Sequence, residues 1–324
     1  MNEQSEQSIT VIGAGVIGLC CARTLQRRGY GVTVIDPLDP GMGTSYGNAG
    51  ILATGSVLPE GKPGLWKRVP GMLLDPLGPL TIRPSYLAKL TPWMLRFIAN
   101  TTAKRSEEIS QALASIVLPG LEHYRALLDD VASDEVPIRQ QGCLYLYPSA
   151  ANLAAARDDI ETRRQRGVAL EMLSPDEVRQ LVPAIGPDMA GGALATQSGH
   201  ATSPLALSQL LAARIVADGG NFIKAKASGF AIGSDGPTHV HTDQGDIPVR
   251  AVVVAAGAFS KPLAKSLGNT VPLDTERGYH MMLPQPGIDL RVPMLINAHG
   301  YAVTPMQDGI RLAGTVEFAG TEAA

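Results

Sequence analysis

The sequence predicts an α/β domain with a parallel sheet, split along the chain and interleaved with an α+β domain. Three observations carry that reading. A β-branched run, a glycine turn and a helical pattern open the chain. A proline- and glycine-rich stretch follows where the next helix and strand of a parallel sheet would belong. A helical pattern and further strand-like runs then resume beyond residue 200.

The first element is the most informative. Ile9–Ile12 is a short buried-strand run, and Gly13-Ala14-Gly15-Val16-Ile17-Gly18 follows it directly. Leu19–Arg28 has good helix formers with apolar residues at helical spacing, and Gly29-Tyr30-Gly31 stops it. Val32–Ile35 is a second strand, ending at Asp36. Strand, glycine turn, helix, strand and acidic residue stand in the order of the Rossmann-like GxGxxG dinucleotide fingerprint. Each part has a task. Gly13 allows the tight turn, Gly15 lets the backbone approach a pyrophosphate, and Gly18 brings the helix close to the sheet. Backbone N–H groups at the helix start, around Val16 and Ile17, face the diphosphate, and the helix dipole favours its charge. Asp36 accepts from ribose hydroxyls, which disfavours a 2′-phosphate there.

The second observation separates the two common dinucleotides. A nicotinamide-binding domain carries on with alternating helices and strands, whereas Pro37–Pro92 holds nine prolines and nine glycines. The sheet is therefore interrupted after its second strand, an architecture that favours FAD. It resumes with a helix over Leu205–Ala217, a strand within Asn221–Ala227 and a β-branched run over Val249–Ala255. The expected FAD-binding domain covers 1–56 and 202–270, and the substrate domain 57–201 and 271–324. Within the substrate domain the pattern predicts helices around Pro92–Leu128 and antiparallel strands including Gly142–Tyr147, Gly191–Thr196 and Tyr279–Leu283.

Composition excludes several functions. The 324 residues carry a net charge of −3 with only five Phe and two Trp, which gives neither the basic footprint nor the stacking platforms of a nucleic-acid binder. Cys20, Cys21 and Cys143 read as packed thiols rather than a disulfide framework. The histidines have no paired metal-ligand spacing, and His239 and His241 read as a solvated pair, so no metal is expected. The polar Met1–Ser8 stretch is no secretory signal and no run is long enough to span a bilayer, so the expected location is cytoplasmic. Tyr86–Ala99 is apolar with Lys89 and Arg96 interspersed. It reads as a helix packed on the substrate domain, with Pro92 interrupting any amphipathic face, and it leaves open a peripheral contact at the inner face of the membrane.

Three segments resemble the D-amino-acid oxidase superfamily of FAD enzymes, and most of all bacterial D-amino-acid dehydrogenases of the small-subunit type. They are the fingerprint with Asp36, the loop Gly43-Thr44-Ser45-Tyr46-Gly47-Asn48-Ala49-Gly50, and Val252–Ser260 with Ala255-Ala256-Gly257 at its centre. The resemblance implies that Thr44, Ser45, Asn48, Ala49 and Gly50 wrap the flavin diphosphate and ring edge. It implies too that Ala255, Ala256 and Gly257 pass close to the cofactor. Glu276–Tyr279 and Tyr301–Pro305 are similar to strands of the family's substrate lobe. The implied activity is oxidative deamination of a small D-amino acid, with hydride transfer from the α-carbon to flavin and electrons leaving through a quinone or carrier.

An amino-acid carboxylate needs a cation, best an Arg fork. Arg277 beside Tyr279 is the first candidate, with Tyr301 a second aromatic donor and His280 and His299 nearby in sequence. Two departures from the family pattern stand out. Pro305-Met306 replaces a proline followed by a substrate arginine, which argues against a close relation to the eukaryotic oxidases. After Gly314, the residues through Ala324 hold neither the Gly-x-Arg-Pro motif nor the glycine-rich helix start of the family. The expectation is a chain short at its C-terminus, with incomplete flavin binding. Two alternatives therefore stay open: an amine oxidoreductase of the glycine, sarcosine or D-hydroxyproline type, and a non-catalytic flavin-binding chain.

Overall fold

A computed structural model of the chain describes residues 8–74, 80–132 and 134–321. It divides into two compact units. One comprises Met1–Gly47, Leu127–Val136 and Pro204–Thr275, the other Asn48–Ala126, Pro137–Ser203 and Glu276–Ala324.

The first unit is built on a four-stranded parallel sheet in the order Asn221–Lys224, Gly31–Asp36, Ser8–Ile12, Val252–Val254. Its strands are β-branched because a parallel sheet is covered on both faces. The helix Val16–Arg27 buries Gly18, Leu19 and Ala22, and the helix Pro204–Ala217 buries Leu207, Leu211 and Ile215. Each large aliphatic side chain so removed from water contributes ~1.5–3 kcal/mol. An antiparallel sheet of Ala227–Gly233, Gly236–Thr242 and Gly245–Pro248 adds Phe230 and Val240 to a core shared with Ile12, Ile35 and Leu263. The sequence reading has one strand in Asn221–Ala227; the chain instead ends one strand at Lys224 and starts another at Ala227.

Leu127–Val136 joins this unit, although sequence position assigns it to the substrate domain. The cause is a charge network. Buried Arg23 hydrogen-bonds Asp218 and, at 2.8 Å, Asp130, which Arg214 also reaches at 2.6 Å. Burial works against ionisation of Asp130, but the Arg214 hydrogen bond and the Arg23 charge still hold its carboxyl below the usual range. The partners lie 107 and 195 residues from Arg23, beyond the reach of any local pattern.

The second unit centres on an eight-stranded mixed sheet. Its main path runs Arg277–Leu283, Gly309–Phe318, Tyr301–Met306, Met294–Ile296, Cys143–Tyr147, Gly191–Ala195, Leu170–Leu173, and Leu80–Ile82 pairs beside Phe318. One face carries Leu144, Leu146, Met294, Ile296 and Ile310, against which Val178 of the helix Pro175–Leu181 packs. Registered pairs carry the other face across the sheet as a row: His280, Ala313, Ala302, Leu295, Tyr145, Ala193, Met172. Helices run over Leu87–Ala99, Ala103–Val117 and Gly120–Leu127. Thr102 caps the second by accepting from Arg105 N–H at 3.3 Å. Pro92 lies inside the first helix, within the Tyr86–Ala99 segment read as helical: it sits in the sixth position, outward and exposed, so one intrahelical bond is lost where water can replace it. Among the described residues no helix is long and apolar enough to cross a membrane.

Candidate functional site

In the first unit the fingerprint turn is defined by close approach. Gly13 has φ +114°, and a Cβ there would lie 2.4 Å from the Ala255 carbonyl oxygen. A Cβ on Gly18 would lie 1.9 Å from the Gly13 oxygen, so the helix sits directly on its own turn. Gly15 differs. Its φ of −70° suits any residue, and the nearest obstacle to a Cβ is Ser45 Oγ at 3.3 Å. The fold thus needs Gly13 and Gly18, while over Gly15 only the movable Ser45 hydroxyl stands close. The first intrahelical bond is Leu19 N–H to Gly15 O, so the preceding amides of the helix start point out of the turn. One of them is engaged: Val16 N–H donates to Ser45 Oγ at 2.9 Å.

Asp36 braces this turn. One carboxylate oxygen accepts from Ala14 N–H at 2.7 Å and the other from Leu38 N–H at 2.8 Å. The residue therefore fixes the glycine loop as well as ending its strand. Thr44 and Ser45 lie in the short helix Thr44–Gly47. Ala255 follows the strand Val252–Val254, its N–H bound to Ile12 O at 2.8 Å, and Ala256 precedes a turn in which Gly257 has φ +53°. Small residues are required here because Ala255 lies against both Gly13 and Gly18.

In the second unit Asn48 starts a turn, its Oδ1 accepting from Gly50 N–H at 2.7 Å. Gly50 O accepts from Ala201 N–H at 2.7 Å, and Ala49 lies between the two. Arg311, buried on the large sheet, donates from Nη1 to the Asn48 carbonyl at 2.8 Å and from Nε to Met282 Sδ at 3.2 Å. On the neighbouring strand, opposite Arg311, stands fully buried Thr304, whose Oγ1 has no hydrogen-bond partner among the described residues.

Two of the three substrate-side candidates meet at Glu317. Tyr279 Oη donates to Glu317 Oε2 at 2.8 Å, Arg83 Nε donates to Oε1 at 2.6 Å, and Arg277 Nη1 lies 3.9 Å away. The Arg83 hydrogen bond, then that from Tyr279, holds the Glu317 carboxyl below the usual range. Tyr301 is not part of that set; it stacks on His299 at 6.2 Å and is 38 % exposed. The His280 imidazole is pushed down by burial and by the Arg311 charge. Sequence reasoning missed Glu317, Arg83 and Arg311. Glu317 and Arg311 alternate with the core residues Ile310 and Phe318 on one strand, and charged residues in such an inward pattern were the available signal.

The histidine pair and the cysteines are engaged locally or packed. His239 Nδ1 meets Thr238 Oγ1 at 3.2 Å and His241 Nδ1 meets Asp246 at 2.8 Å. Cys143 is buried, which pushes its thiol up to about 12, while Cys20 and Cys21 are half-buried. No group of three His, Cys, Asp or Glu that could hold a metal occurs among the described residues.

A parallel sheet whose first turn carries the glycine fingerprint, with an acidic residue ending its second strand, defines a dinucleotide-binding protein. A family model described as FAD dependent oxidoreductase (DAO) matches residues 8–324, and the chain belongs to that family. It is 39% identical over 321 residues to a D-amino-acid oxidase of Bradyrhizobium diazoefficiens, covering 98% of this chain and 75% of that protein. It is 31% identical over 324 residues to a D-amino acid dehydrogenase of Rhodopseudomonas palustris, covering 95% and 74%. Among solved structures, glycine oxidase from Geobacillus kaustophilus aligns over 97% of this chain and 71% of its own, with TM-score 0.66 and 20% identity. Iminodiacetate oxidase from Chelativorans aligns over 97% and 73%, with TM-score 0.66 and 19% identity. The protein is an FAD-dependent oxidoreductase with the DAO-type fold.

Proposed function

We propose that this chain catalyses the oxidative deamination of a small D-amino acid. Bound FAD supplies the acceptor for the hydride leaving the substrate α-carbon. The fingerprint fits that group: the space over Gly15, bounded only by Ser45 Oγ at 3.3 Å, is where a pyrophosphate approaches backbone. In this reading Gly13, Gly15, Val16, Ile17, Gly18, Asp36, Thr44 and Ser45 hold the dinucleotide, with Ala255, Ala256 and Gly257 beside it. Asn48, Ala49 and Gly50 follow these residues in sequence, and within their own unit Arg311 holds the Asn48 carbonyl.

On the substrate side, Arg277 supplies a guanidinium to the carboxylate and the Tyr301 hydroxyl donates to it, while Tyr279, whose one hydroxyl proton goes to Glu317, presents its ring beside Arg277. Glu317 fixes the Tyr279 ring by accepting its proton donor, which orients the phenol before substrate arrives. Electrons leave through a quinone or a carrier protein, and the protein works in the cytoplasm or peripherally at the inner face of the membrane. The observation that carries the reading is the family match over residues 8–324 together with two D-amino-acid enzymes among its relatives.

The test is a panel of D- and L-amino acids, glycine, sarcosine and D-hydroxyproline on flavin-loaded protein, with dye reduction and peroxide followed with and without oxygen. Dye reduction on D-alanine or D-proline without peroxide is the expected result. Turnover confined to glycine or sarcosine would reassign the substrate, and flavin binding without any turnover would leave a cofactor-binding chain only.

A further inference from the structure

We propose that the outward face of the helix Leu87–Ala99, with the helix Leu65–Leu74 beside the same sheet edge, is a docking surface for an anionic lipid bilayer. This deepens the peripheral-contact reading above by naming the surface and its lipid. The inward side of Leu87–Ala99 is anchored: Leu90 is fully buried, and Trp93 stacks on Phe97 at 5.1 Å and packs against Phe318 at 5.7 Å. The rest of the helix is left to water: Leu87 at 49 % and Ile98 at 41 % are exposed along its flank, and Leu95 is 64 % exposed on the side away from the anchor. Pro92, which loses a hydrogen bond on this side, is exposed there too.

Charge selects the occupant. The helix contains no acidic residue, and Lys89 and Arg96, seven positions apart and so on one side, are exposed and make no ion pair among the described residues. The helix Leu65–Leu74 packs beside Leu80–Ile82 and exposes Trp66 at 56 % and Leu73 at 42 %, with Lys67 over the Trp66 ring. From Gly61 to Ser106 the chain has eight Lys and Arg against one acidic residue, Asp75; Lys62, Arg83 and Arg105 are ion-paired with Asp159, Glu317 and Glu108, whereas Lys67, Lys89 and Arg96 meet no carboxylate among the described residues. An apolar row flanked by cations on a helix too short to span a bilayer lies in the plane of an anionic interface. A second copy is disfavoured, because a two-fold contact on this face sets like charges against each other.

The experiment sediments flavin-loaded protein with vesicles and needs no turnover, so failure of the deamination reading leaves its result intact. Vesicles of phosphatidylcholine with about one-third phosphatidylglycerol should carry the protein down, and pure phosphatidylcholine should not. Raised salt should release it. Lys89→Glu combined with Arg96→Glu should weaken partitioning at least ~25-fold, at about fivefold per cation. Leu95→Gln with Ile98→Gln should weaken it as well, without changing the circular dichroism spectrum. The proposal is overturned by failure to sediment with anionic vesicles, by equal sedimentation with neutral ones, or by a charge-reversed variant that still binds. A concentration-dependent dimer lost on Leu95→Gln, without vesicle binding, would overturn it in favour of self-association.

Discussion

The fingerprint turn of the first unit and the Glu317 face of the second treat charge in opposite ways. At the turn the positive end is made of backbone, and the side chains are absent so that the peptide groups can be approached. On the sheet face each charge belongs to a side chain and is met by another: Glu317 by Arg83, Tyr279 and Arg277. The lesson is that a substitution at the turn acts through space and backbone, whereas one on the sheet face acts through an exchange of partners. The first kind of effect is large and close to all-or-none, the second small and graded.

Gly18→Val should show the largest effect. Its side chain would begin 1.9 Å from the Gly13 backbone oxygen, which no rotamer relieves, so a loss of ~4 kcal/mol or more is expected in thermal or urea unfolding. Gly15→Val separates fold from ligand. Its backbone is ordinary and only the Ser45 hydroxyl, 3.3 Å from a Cβ, has to give, so the melting temperature of the flavin-free protein should fall little while flavin absorbance after purification falls near zero. A Gly15→Val protein with a full flavin spectrum would remove the pyrophosphate from this loop.

His200 offers a graded contrast in the second unit. Its buried imidazole is pushed down to about 4, by burial first and then by Arg139. The folded form thus takes up its proton later than the unfolded chain does as pH falls. The stability contributed is complete above the unfolded value near 6.5 and is lost as pH drops towards 4, by roughly 3 kcal/mol in all. His200→Gln should flatten the dependence of unfolding free energy on pH between those values. An unchanged slope would mean that other groups set the acid limit.

Asp36→Ala should weaken FAD binding by ~1.5–3 kcal/mol in a fluorescence titration. Because the same carboxylate holds Ala14 N–H at 2.7 Å, the free protein should also lose some stability. Arg277→Met should have the smallest effect on folding, below ~1 kcal/mol, since a part-exposed pair at 3.9 Å contributes little and Glu317 retains Arg83. If Arg277 meets the substrate carboxylate, KM for a D-amino acid should nevertheless rise by ~10-fold or more. An unchanged KM would remove Arg277 from the substrate carboxylate.

How far these regions were legible in the sequence follows from the distance between the residues involved. Ala14 and Asp36 are 22 apart and Val16 and Ser45 29 apart, within the span of one βαβ unit and its loop, so spacing and residue type announced the turn. Arg83 and Glu317 are 234 apart, and Arg311 reaches Asn48 across 263 positions. No periodicity encodes such a pairing, because it depends on which strands become neighbours. The same reason hid the place of Leu127–Val136, which a buried arginine on another helix decides. The helix through Pro92 was legible for a local reason: the rule against proline in helices yields when the lost hydrogen bond faces water.

The parallel sheet of the first unit also sets a timetable for synthesis. Its opening strand, Ser8–Ile12, is flanked on one side by Gly31–Asp36 and on the other by Val252–Val254. One neighbour is therefore translated almost at once, while the other emerges roughly 12–50 s later at ordinary elongation rates. Throughout that interval the nascent chain carries a β-branched strand with an unsatisfied edge, held open while everything between Asp36 and Val252 is made, including the Asn48–Ala126 and Pro137–Ser203 parts of the second unit. Pairings so distant in sequence fold slowly, because loop closure must precede their reward. The yield of this protein in a cell should accordingly depend on chaperones that shield the nascent amino-terminal edge until Val252–Val254 arrives.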